Sequence, residues 1–96
     1  MKVAWDESKN LANQAKHGVS FEEASQLFSS GVDYLEIFDE AHSDEEERFI
    51  AIGPVARGVV VVVWTEQEED TTRIISARRA TKRERDHYQS FVELRR

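Results

Sequence analysis

The spacing of apolar residues along this chain changes twice. Between residues 6 and 31, apolar side chains recur at helical spacing, and beyond Gly31 they alternate with polar ones, as in strands. A last stretch near the C-terminus returns to helical spacing. Together with a short apolar segment at Val3 to Trp5, the pattern predicts the order β-α-α-β-β-β-β-α.

The first predicted helix spans residues 6–16. Asp6 can cap its start, and Gly18 follows its end, where a left-handed residue commonly stops a helix. The apolar side chains expected to face the core form a narrow stripe of Leu11, Ala12 and Ala15. A polar stripe at i, i+4 and i+7 spacing consists of Lys9, Asn13 and Lys16.

Two further helices are predicted at 21–29 and 82–94, and each begins with a capping box. In this motif a hydroxyl accepts a hydrogen bond from the amide of a glutamate three residues later, and that glutamate reaches back to the first amide. The two boxes are Ser20-Phe21-Glu22-Glu23 and Thr81-Lys82-Arg83-Glu84.

Strands are predicted at 34–38, 48–52, 59–64 and 73–77. The third is apolar on both faces, as a central strand covered on both sides would be. Short connections favour an antiparallel meander. We therefore expect an α+β fold, with an antiparallel sheet of four to five strands packed with two N-terminal helices and one C-terminal helix.

Strict alternation also predicts which side chains of the last strand share a face. It places Ile74, Ser76 and Arg78 on one face. It places Arg73, Ile75 and Ala77 on the other.

The composition is that of a single domain, residues 1–96. The absence of cysteine excludes disulfides and thiolate metal sites and suits a reducing cytosol. The N-terminus has no apolar signal region, and the longest apolar run, Val59 to Trp64, is too short to span a bilayer. A cytoplasmic protein without a membrane partner is therefore expected.

Charge is distributed unevenly around a net value of −6. Residues 1–72 contain five basic and sixteen acidic side chains, whereas residues 73–96 contain eight basic and three acidic ones. The net charge argues against a general nucleic-acid binder, because phosphate contact needs neutralising cations. The segregation allows a local anion site near the C-terminus, an acidic face for a basic partner, or simply a solvated surface.

The histidines do not indicate a metal site. No two of His17, His42 and His87 lie at i, i+4 spacing on one helix with a third ligand, and no glycine-rich phosphate loop is present. No metal and no cofactor are therefore predicted. His17 lies at the end of the first helix, where an imidazolium either caps carbonyl groups or serves a function.

Two charged segments have both a structural and a functional interpretation. Glu46 and Arg48 share a face and form either a plain surface pair or a carboxylate base held by its cation, with His42 nearby. Arg78, beside the start of the last helix, is either part of a phosphate cradle or the partner of an acid on a neighbouring strand. Periodicity does not distinguish these interpretations.

Several blocks of residues, in order along 5–88, closely resemble the BrnT toxin family. The opening block is Trp5-Asp6-(x2)-Lys9-(x3)-Asn13-(x2)-Lys16-His17-Gly18-Val19-Ser20-Phe21-Glu22-Glu23-Ala24. The later blocks are Asp39-(x2)-His42-Ser43, Glu46-Glu47-Arg48-Phe49, Arg73-Ile74-Ile75-Ser76-Ala77-Arg78-(x)-Ala80 and Glu84-Arg85-(x2)-Tyr88.

The resemblance implies a RelE-like fold and a type II toxin that cleaves RNA and arrests translation. It also implies a BrnA-like antitoxin with a ribbon-helix-helix part, and contact with operator DNA only through the complex. Metal-independent cleavage needs a base for the 2′-OH proton, cations for the phosphorane and an acid for the 5′-oxygen.

The resemblance and the chemistry together select nine candidate residues. The predicted catalytic residues are His17, His42, Glu46, Arg48 and Arg78. The predicted RNA- and phosphate-binding residues are Lys9, Lys16, Arg73 and Tyr88. Tyr88 can stack on a base, although its helical spacing with Phe91 and Val92 favours core packing.

A different class of function is also compatible with the charge pattern. The acidic segments Asp33 to Glu47 and Glu66 to Asp70 are suited to a basic partner. The chain would then be a non-catalytic binding module, or a co-repressor acting only in complex with a basic antitoxin.

Overall fold

The computed structural model describes residues 1–95. Its elements follow the predicted order: β1 (Lys2–Ala4), α1 (Glu7–His17), α2 (Phe21–Ser29), β2 (Leu35–Phe38), β3 (Phe49–Val55), β4 (Gly58–Gln67), β5 (Thr71–Arg79) and α3 (Lys82–Leu94). One turn of 3₁₀ helix, Glu40–His42, lies between β2 and β3. The α+β fold and its three helices are thereby confirmed.

A five-stranded sheet in the order β1-β5-β4-β3-β2 forms the centre of the fold. Strands β2 to β5 pair antiparallel, as predicted for a meander, and β1 joins the edge of β5 in parallel. The central position of β4 explains its apolar run, because its side chains are covered on both faces.

The helix boundaries follow from local capping. Ser20 Oγ accepts from the Glu23 amide at 3.0 Å, and Thr81 Oγ1 accepts from the Glu84 amide at 3.2 Å. In both boxes the glutamate carboxylate accepts in return from the first amide. Gly18 ends α1 with φ 72°, a left-handed conformation that costs glycine little.

The predicted apolar stripe of α1 is wrong. Leu11 is 61% exposed, and its neighbours on that stripe are exposed too. The helix instead buries Asn10 and Asn13. Asn13 Nδ2 donates to the Ala77 carbonyl at 2.7 Å and to the Val19 carbonyl at 2.9 Å, while its Oδ1 accepts from the Ala77 amide at 3.2 Å.

The reason lies in the length of β1. Its last pair is Ala4 with Arg73, so the edge of β5 beyond that point has no strand beside it. Buried amide and carbonyl groups must find partners, and an asparagine carries both a donor and an acceptor. Asn13 therefore satisfies the Ala77 backbone in place of a strand, which a leucine could not do.

The two faces of the sheet are covered to different extents. On the α2 face, Phe21, Ala24 and Leu27 of α2 pack against β3, β4 and β5, and Phe21 and Leu27 are almost fully buried. Each such burial contributes about 1.5–3 kcal/mol. On the α3 face, a smaller cluster centred on Ile52 and Val61 packs against α3. Much of the α3 face therefore stays partly open.

A β-bulge changes which side chains of β5 share a face. Val63 pairs with Ser76, but Trp64 pairs with Ile74, so Ile75 has no partner on β4. The extra residue shifts the alternation by one. The face assignment from strict alternation is therefore wrong: Ile74 and Ala77 both enter the α2-face core, while Arg73, Ser76 and Arg78 share the α3 face.

Candidate functional site

The open part of the α3 face has a half-buried floor with charged groups at both ends. Ile50, Val63 and Ser76 form one row across β3, β4 and β5. At one end lies the Glu46 cluster, which we define as Glu46, Arg48 and Arg73. At the other end Arg78 pairs with Glu84.

In the Glu46 cluster one carboxylate lies between two guanidinium groups. Arg73 Nη2 is 3.2 Å from both Glu46 oxygens, and Arg48 Nη2 is 3.8 Å from one of them. The Nε atoms of both arginines are buried and have no hydrogen-bond partner among residues 1–95. Buried donors without acceptors are costly, at about 1–3 kcal/mol each. Because these Nε atoms are out of reach of solvent, an incoming anion would contact the partly exposed ends of the two arginine side chains.

His42 lies beside this cluster and is held by Asp39. Its Nδ1 is 3.1 Å from both carboxylate oxygens of Asp39, which leaves Nε2 directed to other partners. Ser43 Oγ donates to the Asp39 carbonyl at 2.5 Å and accepts from the Arg48 amide at 3.0 Å, which closes the base of the loop. A depression of about 280 Å³ is lined by Ala41, His42, Asp44, Glu45, Glu46 and Arg48.

Arg78 is fixed by the glutamate that also caps α3. Its two terminal nitrogens lie 2.7 and 2.8 Å from the two Glu84 oxygens, and Glu84 accepts from the Thr81 amide at 2.8 Å. Arg78 is the main reason that the pKa of Glu84 falls to about 2, and Glu84 in turn raises the pKa of Arg78. Arg78 therefore pairs with an acid, although this acid comes from α3 rather than from a strand.

Arg73 and Arg78, which lie on either side of this row, are too far apart to serve one phosphate. Arg73 and Arg78 lie five residues apart on β5, which at roughly 3.3 Å per residue corresponds to roughly 15 Å. The predicted site is therefore divided along β5. One part contains His42, Glu46, Arg48 and Arg73, and the other contains Arg78.

Lys9 and Lys16 lie along the edge of β5. They share a helical stripe with Asn13, whose side chain contacts the Ala77 backbone, and both lysines are exposed. The α1 helix therefore brings two ammonium groups to the strand that also carries Arg73 and Arg78.

His17 and Tyr88 lie apart from the Glu46 cluster. The residue after His17, Gly18, accepts from Arg57 at 3.1 Å, in the turn before β4, whereas Glu47 contacts Thr65 near the other end of that strand. Eight residues of strand separate these ends, roughly 25 Å. The Tyr88 ring packs in the α3-face cluster, and its hydroxyl donates to the Asp33 carbonyl at 2.8 Å.

Two partners of the predicted residues were not anticipated from the sequence. Asp39 orients His42, and its i, i+3 spacing within a polar turn was the available signal. The sequence identified Glu84 only as the cap of α3.

Within residues 1–95 no group of three potential metal ligands occurs, and no helix there is long and apolar enough to cross a bilayer.

Fold and site together define a class of protein. It is a small α+β domain whose open sheet face carries a carboxylate, an imidazole and several guanidinium groups, the side chains that act on phosphate esters. Residues 5–84 match the family described as ribonuclease toxin, BrnT, of type II toxin-antitoxin system. The chain therefore belongs to the BrnT family, as its sequence blocks predicted.

A solved structure supports the same assignment. The chain is similar to the Brucella abortus ribonuclease toxin, BrnT, known from a 1.1 Å crystal structure, with 27% sequence identity and a TM-score of 0.62. The match covers 85% of this chain and 99% of the Brucella chain. Among curated proteins, none matches this sequence. Membership of a type II toxin–antitoxin family implies an antitoxin partner.

Proposed function

We propose that this protein is a metal-independent endoribonuclease whose chemistry takes place at the Glu46 cluster. The observation that carries the proposal is the convergence of the Glu46 carboxylate, the His42 imidazole and the Arg48 guanidinium on one open depression, with the Arg73 guanidinium paired to Glu46. These groups correspond to the base, the acid and the charge-stabilising cations that cleavage by an internal 2′-OH requires.

In the proposed mechanism Glu46 accepts the proton of the 2′-OH. The 2′-oxygen attacks the adjacent phosphorus, and Arg48 and Arg73 stabilise the negative charge of the phosphorane. His42, protonated on both nitrogens and held by Asp39, donates its Nε2 proton to the leaving 5′-oxygen. The products are a 2′,3′-cyclic phosphate and a 5′-hydroxyl.

Arg78 and the two lysines of α1 have a binding role in this proposal. Arg78 lies roughly 15 Å along β5 from Arg73, so it contacts a neighbouring phosphate rather than the one that reacts. Its side chain is 42% exposed, and its guanidinium is already oriented by Glu84, which lowers the entropic cost of binding. Lys9 and Lys16 extend the cationic surface along the same strand.

His17 and Tyr88, both predicted from the sequence, have no group of the Glu46 cluster as a partner.

The proposed partner is a BrnA-like antitoxin with a ribbon-helix-helix DNA-binding part. Family membership supports an antitoxin, and the net charge of −6 supports the view that operator DNA is contacted through the partner. The proposed complex is cytoplasmic.

Cleavage of end-labelled RNA by the purified protein tests the proposal. We expect cleavage that persists in EDTA and leaves 2′,3′-cyclic phosphate ends. Glu46→Gln and Arg73→Gln should each lower the rate by about 10²–10⁴, because each removes a group that acts in the transition state. Arg57→Gln is the matched control, since Arg57 also pairs with a carboxylate, Glu23, but at the opposite end of the sheet.

Growth provides a second readout. Expression without antitoxin should stop growth, and Arg78→Ala should abolish this toxicity while circular dichroism shows an intact fold. Loss of cleavage in EDTA would contradict metal independence, and a fully active Glu46→Gln would exclude Glu46 as the base. If the isolated protein leaves RNA uncut while the complex still binds the operator, the non-catalytic co-repressor is the better description.

A further inference from the structure

Strand β2 has an open edge. It is the last strand of the sheet and pairs only with β3. The Asp39 amide donates to the Arg48 carbonyl at 2.8 Å, and backbone groups in an antiparallel pair point inward at every second residue. Leu35 and Ile37 therefore use their amides on β3. The amides and carbonyls of Glu36 and Phe38 point away from the sheet.

The side chains around this edge are apolar and exposed. Ile37 is 37%, Val32 42% and Phe38 47% exposed. Ile37 and Phe38 are adjacent on β2, so they project from opposite faces of the sheet. Natural edge strands are protected by charged side chains, proline, bulges or short length, and Leu35–Phe38 has only Glu36 and its four-residue length, with no lysine, proline or bulge. An added strand would cover both side chains.

The charge around this edge identifies the chemistry of its partner. Residues 33–47 contain eight acidic side chains and no lysine or arginine. Glu36 lies on the strand itself, and Glu40, Asp44 and Glu45 lie exposed in the connection that follows. Such a field attracts a basic segment.

We propose that the outer edge of β2 binds an extended segment of the antitoxin, in which apolar residues alternate with lysine or arginine, as a sixth strand. This inference rests on the proposed function, because it requires the antitoxin that was proposed there as the partner. The strand addition supplies backbone hydrogen bonds, the apolar residues cover Ile37 and Phe38, and the basic residues meet the acidic segment. Because β2 leads directly to Asp39 and His42, the bound segment lies beside the Glu46 cluster and blocks RNA.

Amide hydrogen exchange, measured by NMR with the full-length cognate antitoxin, tests the mode of binding. In the free toxin the amides of Leu35 and Ile37 should be protected and those of Glu36 and Phe38 should exchange rapidly. In the complex the exchange of Glu36 and Phe38 should slow at least 100-fold. A complex in which these two amides still exchange at their free rates would overturn the proposal.

Two substitutions test the surface itself. Phe38→Lys and Glu36→Lys should each weaken antitoxin binding at least tenfold in titration calorimetry. Leu11→Lys and Glu69→Lys are the controls, since Leu11 is an exposed apolar residue on α1 and Glu69 an exposed acid near the β1 edge. Glu36 is exposed, and circular dichroism of Glu36→Lys checks that its fold is unchanged.

The antitoxin-binding measurement does not depend on whether the protein cleaves RNA. Free Glu36→Lys should cleave RNA at the wild-type rate, and an RNase-inactive wild type would leave the antitoxin measurement interpretable. Wild-type affinity of both variants for the antitoxin would exclude this edge as the docking site, whether or not the protein cleaves RNA.

Discussion

At the scale of single residues, Glu84 has two structural roles. It completes the capping box of α3 through the Thr81 amide, and it holds Arg78 through two charged hydrogen bonds. Charge-assisted bidentate pairs of this kind are stronger than neutral hydrogen bonds and fix the plane of the guanidinium. The start of α3 and the position of Arg78 therefore depend on one carboxylate.

Glu84→Gln should separate these roles, because glutamine can still cap the helix but cannot pair with Arg78 as an anion. The pKa of Glu84 is lowered from 4.5 to about 2, so its ionisation stabilises the fold above pH 4.5 and this stabilisation disappears as the pH falls to 2. Because Arg78 is half-exposed and solvent screens its charge, the ionisation of Glu84 contributes about 1–2 kcal/mol to the free energy of unfolding.

The measurement is urea unfolding of both proteins from pH 7 down to pH 2. The free energy of unfolding of Glu84→Gln should be lower by about 1–2 kcal/mol at pH 7, and the two curves should converge near pH 2. A difference that stays constant with pH would show that the carboxylate charge is not responsible.

The residues that were predictable from the sequence act locally. Ser20 and Thr81 each bond an amide three residues away, so their capping boxes and the helix starts could be recognised directly. The pairing of Arg73 with Glu46 joins residues 27 positions apart. Such a contact depends on the sheet register, which alternation alone does not determine.

At the scale of elements, α1 contacts the sheet through amide groups rather than through apolar packing. Asn13 and Asn10 are buried, and Asn10 accepts from the Phe21 amide at 2.8 Å at the start of α2. The two asparagines connect α1 to β5 and to α2. The sequence pattern gave the wrong buried face because it assigns buried positions to apolar side chains. Beyond the last pair of β1 and β5, however, the backbone of β5 has no strand beside it and needs polar side chains as partners.

Asn13→Ala should lower the free energy of unfolding by about 2–4 kcal/mol, because it leaves the Ala77 amide and carbonyl and the Val19 carbonyl without partners. Leu11→Ala on the same helix should change it by less than about 0.5 kcal/mol, because Leu11 is exposed. Urea denaturation of the two variants checks both values, and a Leu11→Ala variant that destabilised more than Asn13→Ala would contradict this packing of α1.

The bulge between β4 and β5 is the second feature that the sequence could not reveal. Apolar and polar residues of β5 fit strict alternation as well as they fit a one-residue shift. Only the pairing with β4 brings Arg73 and Arg78 to one face. The choice of candidate residues stays a prediction from the sequence, whereas the division of the arginines of β5 into two groups on one face could be seen only in the structure.

At the scale of the whole molecule, the charges of the two halves act over different distances. The net charge of −6 opposes the approach of RNA from afar, while the arginines of the Glu46 cluster attract a phosphate only at close range. The Debye length is about 30 Å at 0.01 M salt and about 10 Å at 0.1 M. Added salt therefore screens the repulsion before it weakens the contacts.

The rate of RNA cleavage at sub-saturating RNA should accordingly rise about twofold between 10 and 100 mM NaCl and then fall. Substitution of Glu66, Glu68 and Glu69 by glutamine should move the maximum to lower salt, because it changes the net charge from −6 to −3 and leaves Glu46, Arg48 and Arg73 in place. A steady decline from the lowest salt concentration would mean that the net charge does not affect the encounter.

The unequal edges of the sheet have a consequence for self-association. At one edge the strand β1 has only three residues. Beyond it, Asn13 hydrogen-bonds the amide and carbonyl of Ala77, so these groups are not free to pair with another strand. Among residues 1–95, β2 offers the longer of the two strand edges to a neighbour. Growth through one edge stops at a two-fold pair of β2 strands, because open-ended stacking needs two compatible edges. The same asparagine that completes the fold thus closes the edge of β5 to a further strand where β1 ends.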